Sequence, residues 1–483
     1  MQFEDLGRRA LDTAAARGAV YADIRFESVR SERIEVRNAV VASLADSRTV
    51  GYGIRALVDG AWGFAASEDL SPAGIDATAA RAVTIARASA SIARRPVGEP
   101  PPVAYTGRFH TPLKRDPQRI PLGDRVALLL EAEKALHSTP SIAVGRAWLD
   151  LWNTEKYFFS SIGSAIEQRI VQTGSGIQAL AVGEGDVQAR TFPGDIGLYK
   201  SGGWEIVEEA QLVQNAARIG EEATALLTAP QCPSGTFDII LGGSQMSLQI
   251  HESCGHPAEL DRVMGWEANF SGTSFLEIDQ LGKLKYGSDI VSIVIDNTLP
   301  FGMATCGYDD EGTESGLSDI IRDGVLVGYE MSNDTAREIG RKSNACVRAQ
   351  SWEFVPMIRM CNLNLLPGNV PFEHLFDDVR DGVYMESNRS WSIDDRRLNF
   401  QFGCQIAWEI KNGKPGRMLK NPTYGGMTQQ FWNACDAIAD ERSWNAWGTP
   451  NCGKGEPMQS GRTTQATSPA RFRNIAVGVG YRG

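Results

Sequence analysis

The sequence predicts an α+β protein. A duplicated helix and antiparallel-sheet domain spans residues 1–229, and a β-rich, barrel-like domain with one metal-binding helix spans 230–483. Three observations carry this reading. Gly51-Tyr-Gly-Ile-Arg-Ala-Leu57 returns as Gly174-Ser-Gly-Ile-Gln-Ala-Leu180, five of seven residues identical, inside matching helix and strand patterns. Beyond Pro230 the chain turns to apolar alternations, the longest running from Leu398 to Ile410 with every second residue apolar. Within that half, the helical pattern from Ser244 to Leu260 holds two of the protein's five histidines.

Taken in order, the first unit (about 1–95) opens with a helix from Leu6 to Arg17 and strand-like Tyr21–Glu27 and Arg33–Leu44. It continues through the first glycine repeat and Gly60-Ala-Trp-Gly-Phe-Ala-Ala to a helix over Pro72–Ala93. A proline-rich stretch from Pro96 to Pro121 reads as a linker. The second unit (about 122–229) repeats the plan, with a helix over Asp124–Leu136, strands over Ile142–Leu151 and Ala165–Thr173, and a helix over Trp204–Leu227. Each Gly-x-Gly lies between strand patterns and opens no helix, so a dinucleotide fingerprint is set aside in favour of hairpin glycines. In the second half Phe237–Leu241, Val291–Ile295 and Gly324–Tyr329 read as strands. Asn412-Gly413, after the long alternation, is a two-residue hairpin signal.

Composition limits the function. Against 48 Lys plus Arg stand 59 Asp plus Glu, a net charge of −11, and no basic run offers a footprint for nucleic acid. Every apolar run stops short of bilayer-spanning length, so no membrane span is expected. The start, Met1 to Arg9, lacks the apolar region of a signal peptide, and the eight scattered cysteines fit a reducing compartment. The expectation is a cytoplasmic protein.

The chemistry centres on His251-Glu252-Ser253-Cys254-Gly255-His256. At about 100° per residue, histidines five apart lie about 140° apart around a straight helix and cannot share a metal. A π-bulge with i→i+5 bonding would return them to one face, and Gly255 gives the backbone room to distort. Two neutral imidazoles and a third ligand would hold Zn²⁺ with one position open to water, and Glu252, next to the first ligand, is the candidate general base. The competing reading is two helix histidines in ordinary hydrogen bonds. Spacing leaves the third ligand open. Glu259 could bind the metal or orient an imidazole. Most of Cys232, Cys306, Cys346, Cys361, Cys404 and Cys435 sit in core-like contexts, Cys404 on the greasy face of the long strand. Cys452 lies in a turn-rich loop with Lys454 nearby, which would favour its thiolate. Asp309, Asp310 and Glu311 could line a substrate channel, bind a second cation or form a solvated turn. Trp432, Trp444 and Trp447 could form a pocket, a core or a dimer interface.

Together with Tyr308-Asp-Asp-Glu-Gly-Thr313, Gly324-Val-Leu-Val-Gly-Tyr329, Pro356-Met-Ile-Arg-Met360 with Leu366-Pro-Gly368, and Asn451-Cys-Gly-Lys454, the histidine motif resembles the TldD/PmbA family of metalloproteases. The order and spacing of these motifs cover nearly all of the second half, and the glycine repeats extend a weaker match over the first. The resemblance implies a zinc peptidase with His251, His256 and Cys452 as ligands and Glu252 as catalytic acid/base. It also implies an α/β domain before a β-rich metallopeptidase domain, assembled as a homodimer or as a heterodimer with a metal-free paralogue, around an enclosed channel. Substrates would be unfolded or extended peptides, in peptide trimming or leader removal. An older name for the family, gyrase modulator, keeps a non-enzymatic regulatory protein with a structural zinc as the alternative. Glu456 departs from the pattern, since similar chains tend to carry Gln there.

Overall fold

The computed structural model describes residues 3–93, 96, 98–270, 272–455 and 457–478. Glu456 lies outside them. Both N-terminal units contribute to one eight-stranded sheet. Its spine runs Ala61–Ser67, Val40–Val58, Tyr21–Arg37, Ile142–Ser160, Ala165–Gly183 and Thr106–His110. The two long hairpins meet where Tyr21–Arg37 pairs antiparallel with Ile142–Ser160, from Asp23 opposite Ser160 to Arg37 opposite Arg146. Helices Glu4–Ala16 and Pro72–Ile92 cover the first unit, burying Ala10, Ala14, Ala79 and Val83 against Ile24, Tyr52 and Ile54. Helices Leu122–Leu136 and Leu212–Thr228 cover the second, with Leu129, Leu136 and Ile219 against Leu149, Ile177 and Ala179.

The strands are longer than their apolar patterns. Arg33–Leu44, expected as one strand, is bent at Asn38-Ala39, both in the left-handed region (φ 46° and 62°) as a tight right-twisting hairpin requires. The repeat glycines are not in the hairpin turns. Gly51 pairs with Glu27 and Gly174 with Asp150 in mid-strand. A Cβ at Gly51 would stand 2.4 Å from the Trp352 ring, and one at Gly174 would stand 1.9 Å from the Tyr199 ring. The repeat therefore encodes flat patches on the sheet that take an aromatic ring. The proline-rich stretch also enters the sheet, because Thr106–His110 pairs parallel with Ala165–Arg169. The helix expected over Trp204–Leu227 breaks at Gln211, whose φ is 46°.

In the second half five strands close a barrel: Asp381–Ile393, Gly235–Leu241, Ala470–Val477, Thr423–Met427 and Asn399–Lys411, which returns to Asp381–Ile393. The Leu398–Ile410 alternation is the Asn399–Lys411 strand, and its inward residues Phe402, Cys404 and Ile406 are fully buried. Asn412-Gly413 makes the hairpin (φ 49° and 78°). Gly324–Tyr329 shrinks to a two-residue strand, Val325–Leu326, because the amides of Val327 and Gly328 both turn back to the Ile320 carbonyl. A separate two-stranded ribbon, Asn445–Lys454 with Gln459–Thr467, stands beside the barrel and carries Cys452.

The acidic triplet docks the two halves. Lys156 donates to Asp310 at 3.0 Å, Arg25 approaches it at 3.7 Å, and Arg55 bridges Asp23 and Glu311. Asp309 accepts from the amides of Glu311, Thr313 and Val347. All three side chains are buried, so the solvated-turn reading is overturned. Among the described residues no helix is long and apolar enough to cross a membrane.

Candidate metal centre

The helix leaving the barrel strand Gly235–Leu241 runs as α-helix over Gly243–Ile250, as π-helix over His251–Gly255, and as one further turn to Ala258. The His256 amide bonds to the His251 carbonyl, the five-residue step expected from the spacing. The imidazole centroids end 4.8 Å apart with the rings at 88°. Widening a helix frees backbone acceptors, and neighbours take them up: Ser253 Oγ bonds to the Gln249 carbonyl, and Tyr286 Oη to the Ser253 carbonyl. Trp432 Nε1 donates to Ser253 Oγ at 2.9 Å, which makes this tryptophan a fully buried brace for the turn. Gly255 works differently from expectation. Its φ of −71° suits any residue, but a Cβ would stand 2.4 Å from Met360 Cε. The glycine admits a neighbour and does not relieve the backbone.

The ribbon brings Cys452 to this turn. One donor atom from each of His251, His256 and Cys452 lies within 4.8 Å of the others, and Cys452 Sγ is 3.7 Å from His256 Nε2. Each ring is held from behind. His251 Nδ1 meets Gln465 Oε1 at 3.2 Å, and His256 Nδ1 meets Glu259 Oε2 at 3.0 Å, leaving each Nε2 to face inward. Glu259 therefore stands on the far nitrogen of His256, locked by Arg262 at 3.1 Å and Lys454 at 3.2 Å. Burial opposes a thiolate at Cys452, but the two facing imidazoles outweigh it and hold the thiol well below its ordinary range. Burial likewise opposes charge on His251, but the Cys452 sulfur and Glu252 raise it to about 9. Lys454 takes no part in this, because its ammonium is spent on Asp261, Glu259 and the Ile358 carbonyl.

Glu252 opens with both histidines and Cys452 onto a cavity of about 360 Å³. Opposite stand Asp195, Asn388, Trp391, Arg397 and Trp447. Burial pushes the Asp195 carboxyl up to about 6. The indole nitrogen of Trp447 is buried with no partner, whereas Trp444 Nε1 bonds to the Leu365 carbonyl. The three tryptophans thus separate into cavity wall, brace and packing. Sequence reasoning missed Asp195, Asn388, Trp391 and Arg397, which come from three other loops and strands. Among them only the left-handed Arg397 (φ 61°), in the turn before the long alternation, is marked by its backbone. The remaining cysteines are all buried and free.

Three family models match: PmbA/TldA metallopeptidase domain 1 over residues 22–86, the central domain over 115–229, and the C-terminal domain over 234–478. A metalloprotease of Methanothermobacter thermautotrophicus is 27% identical over 95% of both chains. A zinc metalloprotease TldD homolog of Saccharolobus solfataricus is 23% identical over 88% of this chain and 90% of its own. Among solved structures, TldE from Thermococcus kodakarensis superposes with a TM-score of 0.73 at 15% identity, covering 98% of this chain and 99% of its own. A Thermotoga maritima protein described as a DNA gyrase modulator gives 0.79 at 16%, covering 99% and 100%.

Proposed function

Because this chain belongs to the PmbA/TldD metallopeptidase family, we propose that it is a zinc peptidase whose metal is held by His251, His256 and Cys452 and whose general base is Glu252. The observation that carries the proposal is the convergence of three buried donors, two of them braced from behind, beside a carboxylate in one cavity. The donors fit zinc: bond lengths of about 2.0–2.1 Å to nitrogen and 2.3 Å to sulfur give a tetrahedral edge of about 3.6 Å, close to the 3.7 Å between Sγ and Nε2. Zinc would bind in place of protons on these donors, so binding would release protons and strengthen as pH rises.

When bound, zinc supplies polarisation of the scissile carbonyl and a water acidified to near neutrality. The residues supply the rest. Glu259 and Gln465 fix the ring orientations, and Glu259 accepts from His256 Nδ1–H and so makes Nε2 the better donor. Glu252 removes the proton from the attacking water and returns it to the leaving amine nitrogen. A set of three donors, where a structural zinc usually takes four, and an adjacent carboxylate argue against the structural-zinc, purely regulatory alternative.

The substrate is an extended peptide. Among the described strands, Asn445–Lys454 pairs only with Gln459–Thr467, and Trp447, Gly448, Thr449 and Asn451 line the cavity. Its open edge offers main-chain hydrogen bonds to an added strand. Dimerisation, with a second copy or a metal-free paralogue, belongs to the same reading. It is supported by Val40–Val50, which pairs on one side only and exposes Val40, Val41 and Leu44. The test is Glu252→Gln: zinc content should stay at the parental level while peptide hydrolysis falls by about 10²-fold or more. Cleavage at the parental rate would remove Glu252 from the mechanism.

A further inference from the structure

A second cavity, of about 320 Å³, lies between the metal-bearing ribbon and the N-terminal sheet. It shares no lining residue with the metal cavity, but a groove of about 370 Å³ connects them. The groove shares Asp195, Ile196 and Asn451 with the metal cavity, and Trp152 and Pro450 with the second.

Three guanidiniums line this second cavity, those of Arg348, Arg359 and Arg462. Among the described residues no carboxylate oxygen lies within 4.0 Å of any of them. Their hydrogen bonds go to neutral acceptors. Arg462 donates to Gln172 Oε1 at 3.0 Å and lies 4.5 Å over the Trp152 ring. Arg348 donates to the carbonyls of Arg462 (2.6 Å) and Met360, and Arg359 to those of Gln459 (2.9 Å) and Cys452. The Nε atoms of Arg348 and Arg359 are buried without a partner, and Arg359 is only 2% exposed. Room has been kept for this group: a Cβ on Gly461, the residue paired with Cys452, would stand 2.9 Å from the Arg359 guanidinium.

The cavity's own carboxylates are engaged elsewhere. Asp310 pairs with Lys156 and Arg25, and Asp309 accepts from three backbone amides. Glu27 lies 3.8 Å from Lys156 and 3.6 Å from Arg25. Burial also pushes the carboxyls of Glu27 and Asp309 up. Burying guanidiniums with no carboxylate at pairing distance is costly, and an incoming oxyanion would offset that cost with charge-assisted, two-pronged bonds.

We propose that the cavity bounded by Arg348, Arg359 and Arg462 binds a carboxylate of the extended peptide whose backbone occupies the metal cavity. The inference rests on the peptidase reading for its substrate. An acidic side chain or the C-terminal carboxylate has the required chemistry, and the connecting groove gives the peptide a path between the two cavities.

The test uses the full-length Glu252→Gln protein, so that binding is read without turnover. Calorimetry compares a decapeptide scanned with single Glu or Gln at each position, as free acid and as amide, with glutarate as a free-anion probe. At one Glu position, or at the free C-terminus, affinity should exceed that of the uncharged counterpart by about tenfold, the range of one charge-assisted contact. In Arg462→Gln that ratio should fall towards one, and in Arg462→Lys part of it should return. Equal affinities for all charged and uncharged pairs would overturn the proposal, as would glutarate binding without discrimination among peptides. A protein that discriminates in this assay but cleaves nothing as wild type would leave the carboxylate site standing and sink the peptidase reading, so the two failures are distinguishable.

Discussion

Spacing leaves the third ligand open and the resemblance implies Cys452, and in the fold Cys452 and Glu259 stand on different sides of His256. Glu259 sits three residues past His256, and the helix breaks at its own position, where φ and ψ are −66° and 113°. The break turns its carboxylate behind the imidazole, where it meets Nδ1. Cys452 arrives from the opposite side on a strand 196 positions away. The sequence could show that Cys452 lay in an unusual loop, but the pairing that delivers it is set by tertiary packing. The cause of its acidity was also misplaced, since two imidazoles and not Lys454 depress the thiol. In titrations with a competing chelator, Cys452→Ala should weaken zinc binding more than Glu259→Gln, because one removes a donor and the other an orienting acceptor worth about 10- to 100-fold in affinity. The reverse ranking would return Glu259 to the ligand set.

The π-turn was legible because two histidines five apart beside a glutamate make a demand that only a widened helix meets. What the sequence concealed was the role of Gly255. Alanine there is compatible with its backbone angles yet collides with Met360, which is itself fully buried. Overpacking of this kind costs about 1–3 kcal/mol. Gly255→Ala should therefore lower both the unfolding temperature and zinc affinity, and Met360→Ala in that background should restore the zinc affinity. Failure of the double variant to recover would place the constraint in the backbone. The long alternation and Asn412-Gly413 were readable for the complementary reason that a period of two and a left-handed turn are local properties. The lengths of the N-terminal strands were not, because polar residues on their exposed stretches break the apolar pattern while cross-strand pairing continues.

Across the whole molecule, the acidic triplet and its cations hold the duplicated sheet against the C-terminal half, which places the sheet over the groove. No local pattern distinguishes such a latch from a solvated turn, since the arginines and the lysine that decide it lie in other strands. Burial alone would raise the Asp310 carboxyl, but Lys156 and Arg25 outweigh it and hold it at about 2. A carboxyl depressed in the folded state contributes stability above its ordinary range and loses it as pH falls from about 4 to 2. Asp310→Asn should thus cost about 3 kcal/mol at neutral pH by leaving two buried cations to share Glu27 alone, and the gap in unfolding temperature should narrow through that acid window. A gap independent of pH would assign the loss to packing. The central claim is a zinc centre assembled from a π-turn and a distant thiolate, and metal stoichiometry on purified chains tests it most directly. The account predicts about one zinc per chain in the parent and almost none in His256→Ala or Cys452→Ala, with both variants folded by circular dichroism. Full zinc occupancy in either variant would contradict it.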